Sequence, residues 1–211
     1  MGAEIKRPRP NPRPSTERDV QKERLSAFTD GVVAVIITIM VLELKPPAGT
    51  DLAALARIAP TFLSYGLSFI SVAIYWNNHH HFFNLVEDVD GGILWANLHL
   101  LFWLSLIPFT TAWMGEHYRA VIPTAFFGLS LLAPALAWSI LQSVIIRRQG
   151  PASPLKAAVG ADLKGKLSAL LYMAGIAAAF FNPFVADAFY LGVALMWLIP
   201  DRRIERKVGM G

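Results

Sequence analysis

The sequence predicts an all-α membrane protein with six transmembrane helices, and three observations carry that expectation. First, the 211 residues are 55% hydrophobic and only 16% charged, with a mean hydropathy of +0.45. Soluble domains carry roughly 25% charged residues. Second, six apolar runs approach the ~20 residues that a helix needs to cross a bilayer. Third, the basic residues divide unevenly between the loops that alternate along those runs. This composition argues against a disordered chain, a soluble nucleic-acid binder and an ordinary cytosolic enzyme. The net charge of +4 and pI near 9.5 fit cationic loops that set membrane topology. The chain has no cysteine, which excludes a disulfide framework, a thiolate metal site and a cysteine nucleophile.

Residues 1–23 form a basic tail, expected to be extended and disordered around "RPRPNPRP". Residues 1–24 hold seven Lys/Arg and four prolines. With no apolar core, they do not read as a signal peptide. Residues 24–200 form the membrane domain, and 201–211 a basic C-terminal tail. The apolar runs lie near 26–44, 61–85, 93–114, 120–146, 166–183 and 184–200. The first stops at Pro46–Pro47, which cannot continue a helix. The second ends in "WNNHHHFFN". The third contains Pro108, which predicts a kink, with Thr110 or Thr111 available to the freed carbonyls. The fourth is long enough to tilt. The last two meet at "FNPF" around Pro183. They read as a tight hairpin; the alternative, one kinked helix, would be too long for one crossing. The turn holding Glu87, Asp88 and Asp90 reads as a solvated helix end. Residues 147–165 read as a flexible surface linker.

Loop charge tests this count. With the N-terminus inside and six crossings, the inside segments hold sixteen Lys/Arg and the outside ones only Lys45, Arg57 and Arg119. That asymmetry follows the positive-inside rule and puts both termini in the cytoplasm. An odd number of crossings would strand Arg202, Arg203, Arg206 and Lys207 outside.

The first helix carries the unusual residues. On an ideal helix, Phe28, Gly31, Val35, Thr38, Ile39 and Leu42 lie within about 60° of one line, and Arg24 extends it. Asp30 falls about 140° away by the same geometry. A carboxylate near the membrane interface needs donors or water, so Asp30 is expected to turn toward neighbouring helices. The stripe is then left for lipid, another helix or a shared axis. On the next two helices, His79, His80, His81, Asn97 and His99 share a depth with Asp30. Consecutive histidines lie about 100° apart, so three cannot hold one metal from one face. A buried inter-helix hydrogen-bond network is the economical reading.

These residues resemble a known family. "RLSAFTDGVVAVIITIMVLEL" is similar to the first-helix signature of the transmembrane protein 175 family, the lysosomal-type potassium channels and their prokaryotic relatives. The family pattern, Arg, three residues, then Phe-Ser-Asp, stands here as Arg24, Phe28, Thr29 and Asp30. "YWNNHHHFF" and "NLHLLFWLSLIPFTTAW" resemble the family's second and third helices. The resemblance is strong over 22–114 and mainly topological over 120–200.

The resemblance implies a bacterial plasma-membrane channel, assembled as a homotetramer around a central pore and permeable to potassium with weak preference over sodium. The first helices would line the pore. Val35, Ile39 and Leu42 match the positions of an apolar constriction, and Thr38 matches a threonine implicated in selectivity. Arg24, Phe28, Thr29 and Asp30 match the motif that anchors the pore helix. His80, His81, Asn97 and His99 are the supporting polar residues. Thr29 replaces the usual serine but keeps the hydroxyl. Val35 is smaller than the usual leucine or isoleucine, which leaves open which of the three rings is narrowest. No "TVGYG" filter sequence occurs, so gating would rest on apolar side chains that exclude water. No cofactor, metal or nucleic acid is expected; the partners are further copies of the chain and lipid. The alternative is an ion- or proton-coupled transporter using Asp30 and His79–His81. The absence of an inverted repeat or a broken central helix argues against it. A metalloenzyme built on the histidines would lack H-E-x-x-H and paired carboxylates.

Overall fold

The structure, a computed structural model, describes residues 15–198. Most of the predicted N-terminal tail and all of the C-terminal tail lie outside them. Among the described residues there is no strand, and nine helices follow one another. They are α1 (Ser15–Leu42), α2 (Leu52–Arg57), α3 (Ala59–Asn84), α4 (Gly91–Ser105), α5 (Ile107–Glu116), α6 (Val121–Gln149), α7 (Pro154–Val159), α8 (Leu163–Ala179) and α9 (Pro183–Leu198). Three helices are long and apolar enough to cross a membrane: Glu17–Leu42, Gly91–Glu116 with α4 and α5 counted together, and Val121–Gln149. The α9 helix is a shorter apolar one. The α3 helix has 26 residues, but serines, asparagines and histidines lower its hydropathy.

The α1 helix starts earlier than the sequence suggested. Residues 15–23, expected in the tail, are helical. Past Pro14 no proline intervenes, and "ERDVQKER" is rich in helix formers. At ~1.5 Å per residue, the 28 residues of α1 outrun a ~30 Å hydrocarbon core. The charged first turns therefore project from the apolar part, where Lys22 Nζ donates to the Asn84 carbonyl at 3.4 Å.

The third run breaks once. Leu106 separates α4 from α5, and its N–H reaches Trp103 O at 3.3 Å in a tighter turn. Pro108 has no N–H to offer the Leu104 carbonyl and its ring crowds that turn. The expected rescue takes a different form. Thr110 and Thr111 donate to Ile107 O at 3.1 and 2.7 Å, not to the freed Leu104 carbonyl.

The last two runs form an antiparallel hairpin, α8 and α9. Trp197 Nε1 donates to Ser168 Oγ at 2.8 Å near one end, and Tyr190 lies against Gly175 further along. The long α6 helix joins the two halves of the core. One half packs α1, α3 and α4 against Ala137, Leu141 and Ile145 of α6. The other packs α8 and α9 against Phe127 and Leu131. Tyr190 is the pin of that second half. Its ring fits only because residues 128 and 175 are glycines, and its hydroxyl donates to Thr124 O at 3.2 Å.

Residues 147–165 are not a flexible linker. Ser153 caps α7, donating to Gln149 Oε1 at 2.6 Å and accepting from Lys156 N. Gln149 Nε2 in turn donates to Leu85 O at 2.7 Å. Leu155 is buried in the core. A Ser-Pro cap and one apolar anchor suffice to dock this segment. The acidic turn is tied down as well. Asp90 caps α4 through Ile93 N, and Arg148 approaches Asp90 at 3.2 Å and Asp88 at 3.7 Å.

Candidate pore helix and its polar anchor

The α1 helix has one sealed face and one bare face. Leu25, Thr29, Val33, Ile36 and Met40 recur every three or four residues and are each at most 5% exposed. They pack on α3, α4 and α5. On the other side Phe28, Val35, Ile39 and Leu42 are 52, 54, 43 and 77% exposed. Gly31 and Thr38 are exposed with them. The Thr38 hydroxyl donates to its own helix, to Ala34 O at 3.0 Å and Val35 O at 2.9 Å. Both acceptor lone pairs of this exposed hydroxyl stay free of those bonds. The predicted stripe is exposed, and so are Ala27, Asp30, Ala34 and Val41 beside it.

The sealed face is fastened by a buried hydrogen-bond chain. Asn97 Nδ2 donates to Thr29 Oγ1 at 2.9 Å, and Asn97 Oδ1 lies 2.9 Å from His79 Nε2. If Nε2 carries the proton, every group in this chain is complementary. The His79 ring stacks on Phe83 at 4.2 Å between centroids. Thr29, Asn97 and His79 are 1, 0 and 3% exposed, so the chain joins α1, α4 and α3 where no water competes. Asp30 makes a separate tie, accepting from Trp76 Nε1 of α3 at 2.9 Å. It also borders an open groove of about 470 Å³ with Lys22, Glu23, His80 and Asn84.

The structure gathers some of the sequence-predicted polar residues and not others. Of the three histidines, His79 enters the network, whereas His80 is exposed and His81 half-buried. His99 faces outward and accepts from Trp103 Nε1, on its own helix, at 2.9 Å. Arg24 is exposed beside the stripe. From sequence, all three histidines sit at the depth of this network, His79 is not singled out, and Trp76 is not included. His79 shares the core face of α3 with Ser68, Val72 and Phe83, and His80 and His81 are out of that register. Among the described residues no group of three or more His, Cys, Asp or Glu could hold a metal ion. Among the described residues, Asp30 and His79 belong to different hydrogen-bond sets.

The bare stripe of α1 borders a larger groove of about 840 Å³, with Pro108, Phe109 and Ala112 of α5 as its other wall. Beyond the C-terminal end of α1, Lys45 Nζ meets Glu116 Oε1 at 2.7 Å. That hydrogen bond raises the Lys45 amine above its ordinary range. The chain thus carries a helix held on one face by packing and polar ties and left open on the other.

Comparison with known proteins fits this geometry. A family model described as "Endosomal/lysosomal potassium channel TMEM175" matches residues 24–108, the segment holding α1, α3, α4 and the kink. A protein named a potassium channel from Chryseobacterium sp. (strain P1-3) is 55% identical over 187 residues, covering 89% of this chain and 97% of the relative. A second so named, from Streptomyces collinus, is 34% identical over 126 residues, covering 56% of this chain and 61% of its own length. The crystal structure of a lysosomal potassium-selective channel TMEM175 homolog from Chamaesiphon minutus superposes with a TM-score of 0.76 at 25% identity. That match covers 85% of this chain and 97% of the other. The chain belongs to the TMEM175 family.

Proposed function

We propose that this protein is a potassium-permeable cation channel of the bacterial plasma membrane, weakly selective for potassium over sodium. Four copies assemble around an axis, and the bare face of each α1 lines the pore. Six segments cross the membrane, with both termini in the cytoplasm. The observation that carries the reading is the division of α1. One face is packed on α3, α4 and α5, while Val35, Ile39 and Leu42 stay exposed on a mostly apolar stripe that includes Thr38. The channel names of the relatives, close along their lengths for the first of them, support it.

Each part of the stripe has a task in this reading. Rings of four Val35, Ile39 or Leu42 side chains exclude water when the helices are close, and an ion that cannot keep its hydration shell does not pass. A small rotation or separation of the four helices wets the ring. Thr38 adds four hydroxyl oxygens to an otherwise apolar path. So few oxygens replace little of the hydration shell, which gives weak selectivity. The Thr29–Asn97–His79 chain and the Asp30–Trp76 bond hold the rotation of α1 that aims this face inward.

Flux across liposomes with a potassium/sodium gradient tests the assignment. Wild-type protein is expected to give unitary currents whose reversal potential shifts toward potassium. Val35→Asn, Ile39→Asn and Leu42→Asn are each made in parallel. At least one raises basal current, because a hydrated side chain wets the ring. Unchanged currents in all three variants remove the pore assignment.

A further inference from the structure

Away from the bare face of α1, helices α3, α6, α8 and α9 enclose a cavity of about 40 Å³. Its walls carry more hydrogen-bonding groups than the protein satisfies. Tyr75 and Asn78 of α3 and Tyr172 of α8 line it, and among the described residues their side chains make no hydrogen bond. Tyr172 is only 6% exposed, so bulk solvent does not reach it freely. Ser71 and Ser139 also face the cavity. Each spends its proton on its own helix, Ser71 on Leu67 O at 2.8 Å and Ser139 on Ala135 O at 3.1 Å. Both keep acceptor lone pairs. Ser168 is already engaged, donating to Lys164 O and accepting from Trp197 Nε1, each at 2.8 Å.

A phenol hydroxyl or amide turned away from bulk solvent is unfavourable without a hydrogen-bond partner. Tyr172 is buried and Tyr75 and Asn78 are half-buried, and these three groups around one space define the chemistry of what fills it. The occupant accepts from two phenols and an amide and donates to two serine oxygens, and it is small. An acyl chain does neither. Water does both, and one water needs roughly 10–15 Å³ by this kind of measure.

We propose that this cavity is a bound-water site: a cluster of about three water molecules links Tyr75 and Asn78 of α3 to Tyr172 of α8 and Ser139 of α6. The cluster fastens the α8–α9 hairpin to the half of the molecule that carries α1. It lies outside the proposed pore and takes no part in permeation, so its test is independent of the channel assignment.

A crystal or cryo-EM structure of the full chain at about 2 Å resolves ordered solvent. Discrete density is expected within ~3.2 Å of both the Tyr75 and Tyr172 hydroxyls. Continuous tubular density of a lipid or detergent tail, or none, overturns the assignment. Thermal unfolding of Tyr172→Phe in the same detergent gives a second reading. This change keeps the ring and removes only the hydroxyl. If water satisfies that hydroxyl, the melting temperature falls by about 2–4 °C. If the cavity is dry, the variant is as stable as wild type or more so, which also overturns the proposal.

Discussion

Asn97 is fully buried and hydrogen-bonds in two directions, to Thr29 on α1 and to His79 on α3. Replacing it with leucine strands a hydroxyl and a ring nitrogen in a site without water. Each stranded group costs about 1–3 kcal/mol, so Asn97→Leu is expected to destabilise by about 2–4 kcal/mol overall. Thr29→Val removes one of the same bonds. The double variant should then lose less than the two singles added, with a coupling of about 0.5–3 kcal/mol. Denaturant unfolding in detergent checks this, and additive losses would show that the bond carries no energy. Thr29→Ser keeps the hydroxyl and is expected to stay within about 1 kcal/mol of wild type, since only a methyl is lost. At this scale the sequence was partly legible. Three polar residue types at one depth, Asp, His and Asn, announced a network, and Asn97 was among those named. The sequence could not say which of three adjacent histidines turned inward, because a 100° step between neighbours leaves that choice to the packing of α3. Phe82 and Phe83 make it by filling the core face, which carries His79 with them.

Elements were legible where chain chemistry ends or bends them. Pro46–Pro47 closed α1 in advance, Pro108 announced the break at Leu106, and the "FNPF" corner announced the α8–α9 hairpin. The docked α7 and the early start of α1 were not legible, since polar composition looks the same on a tail, a linker or a projecting helix. How closely two helices approach was also hidden, although the glycines decide it. A Cβ on residue 128 would collide with the Tyr190 hydroxyl and ring. Gly128→Ala is therefore expected to push the hairpin off α6 and destabilise by about 1–3 kcal/mol, whereas Gly31→Ala meets open space within one subunit. Comparing the two melting temperatures tests the contrast. The tie beyond the C-terminal end of α1 predicts a pH dependence. Protonation of the Glu116 carboxylate removes the ion pair as pH falls. Lys45 is raised, so its contribution is present below the ordinary amine pKa and is lost as pH rises through its raised value. The tie is intact across neutral pH and fails first on the acid side in ordinary experiments. Both groups are exposed, so the effect is small and screened by salt. At low ionic strength, wild type should lose more thermal stability on acidification than Glu116→Gln. Equal losses at low salt would mean that the pair does not act on stability.

For the whole molecule, the question is what covers the bare face of α1. A helix in lipid tolerates exposed valine, isoleucine and leucine, so exposure alone does not separate a lipid-facing stripe from a pore. The sequence could not separate them either, because both environments select apolar residues at the same spacing. Symmetry separates them. Around a shared axis, residues on the stripe approach their own copies in neighbouring subunits, whereas a lipid-facing stripe keeps copies apart. The chain has no cysteine, so a single introduced cysteine reports its own position without background. A disulfide needs Cα atoms within about 7 Å, a distance that a narrow ring allows between neighbours. Ile39→Cys is therefore expected to give dimers under mild oxidation in membranes, seen on a non-reducing gel. Met40→Cys, one residue on, points into the subunit core at 1% exposure and should remain monomeric. Phe62→Cys, exposed at 58% on α3, controls for random collision. Crosslinking of Ile39→Cys no faster than that of Phe62→Cys would turn the stripe toward lipid and remove the tetrameric pore, even with the family assignment unchanged. Fast crosslinking confined to Ile39→Cys would fix the axis, and extending the series to Val35→Cys and Leu42→Cys would rank the rings by closeness. The tightest ring would crosslink fastest, which identifies the constriction without an electrical recording.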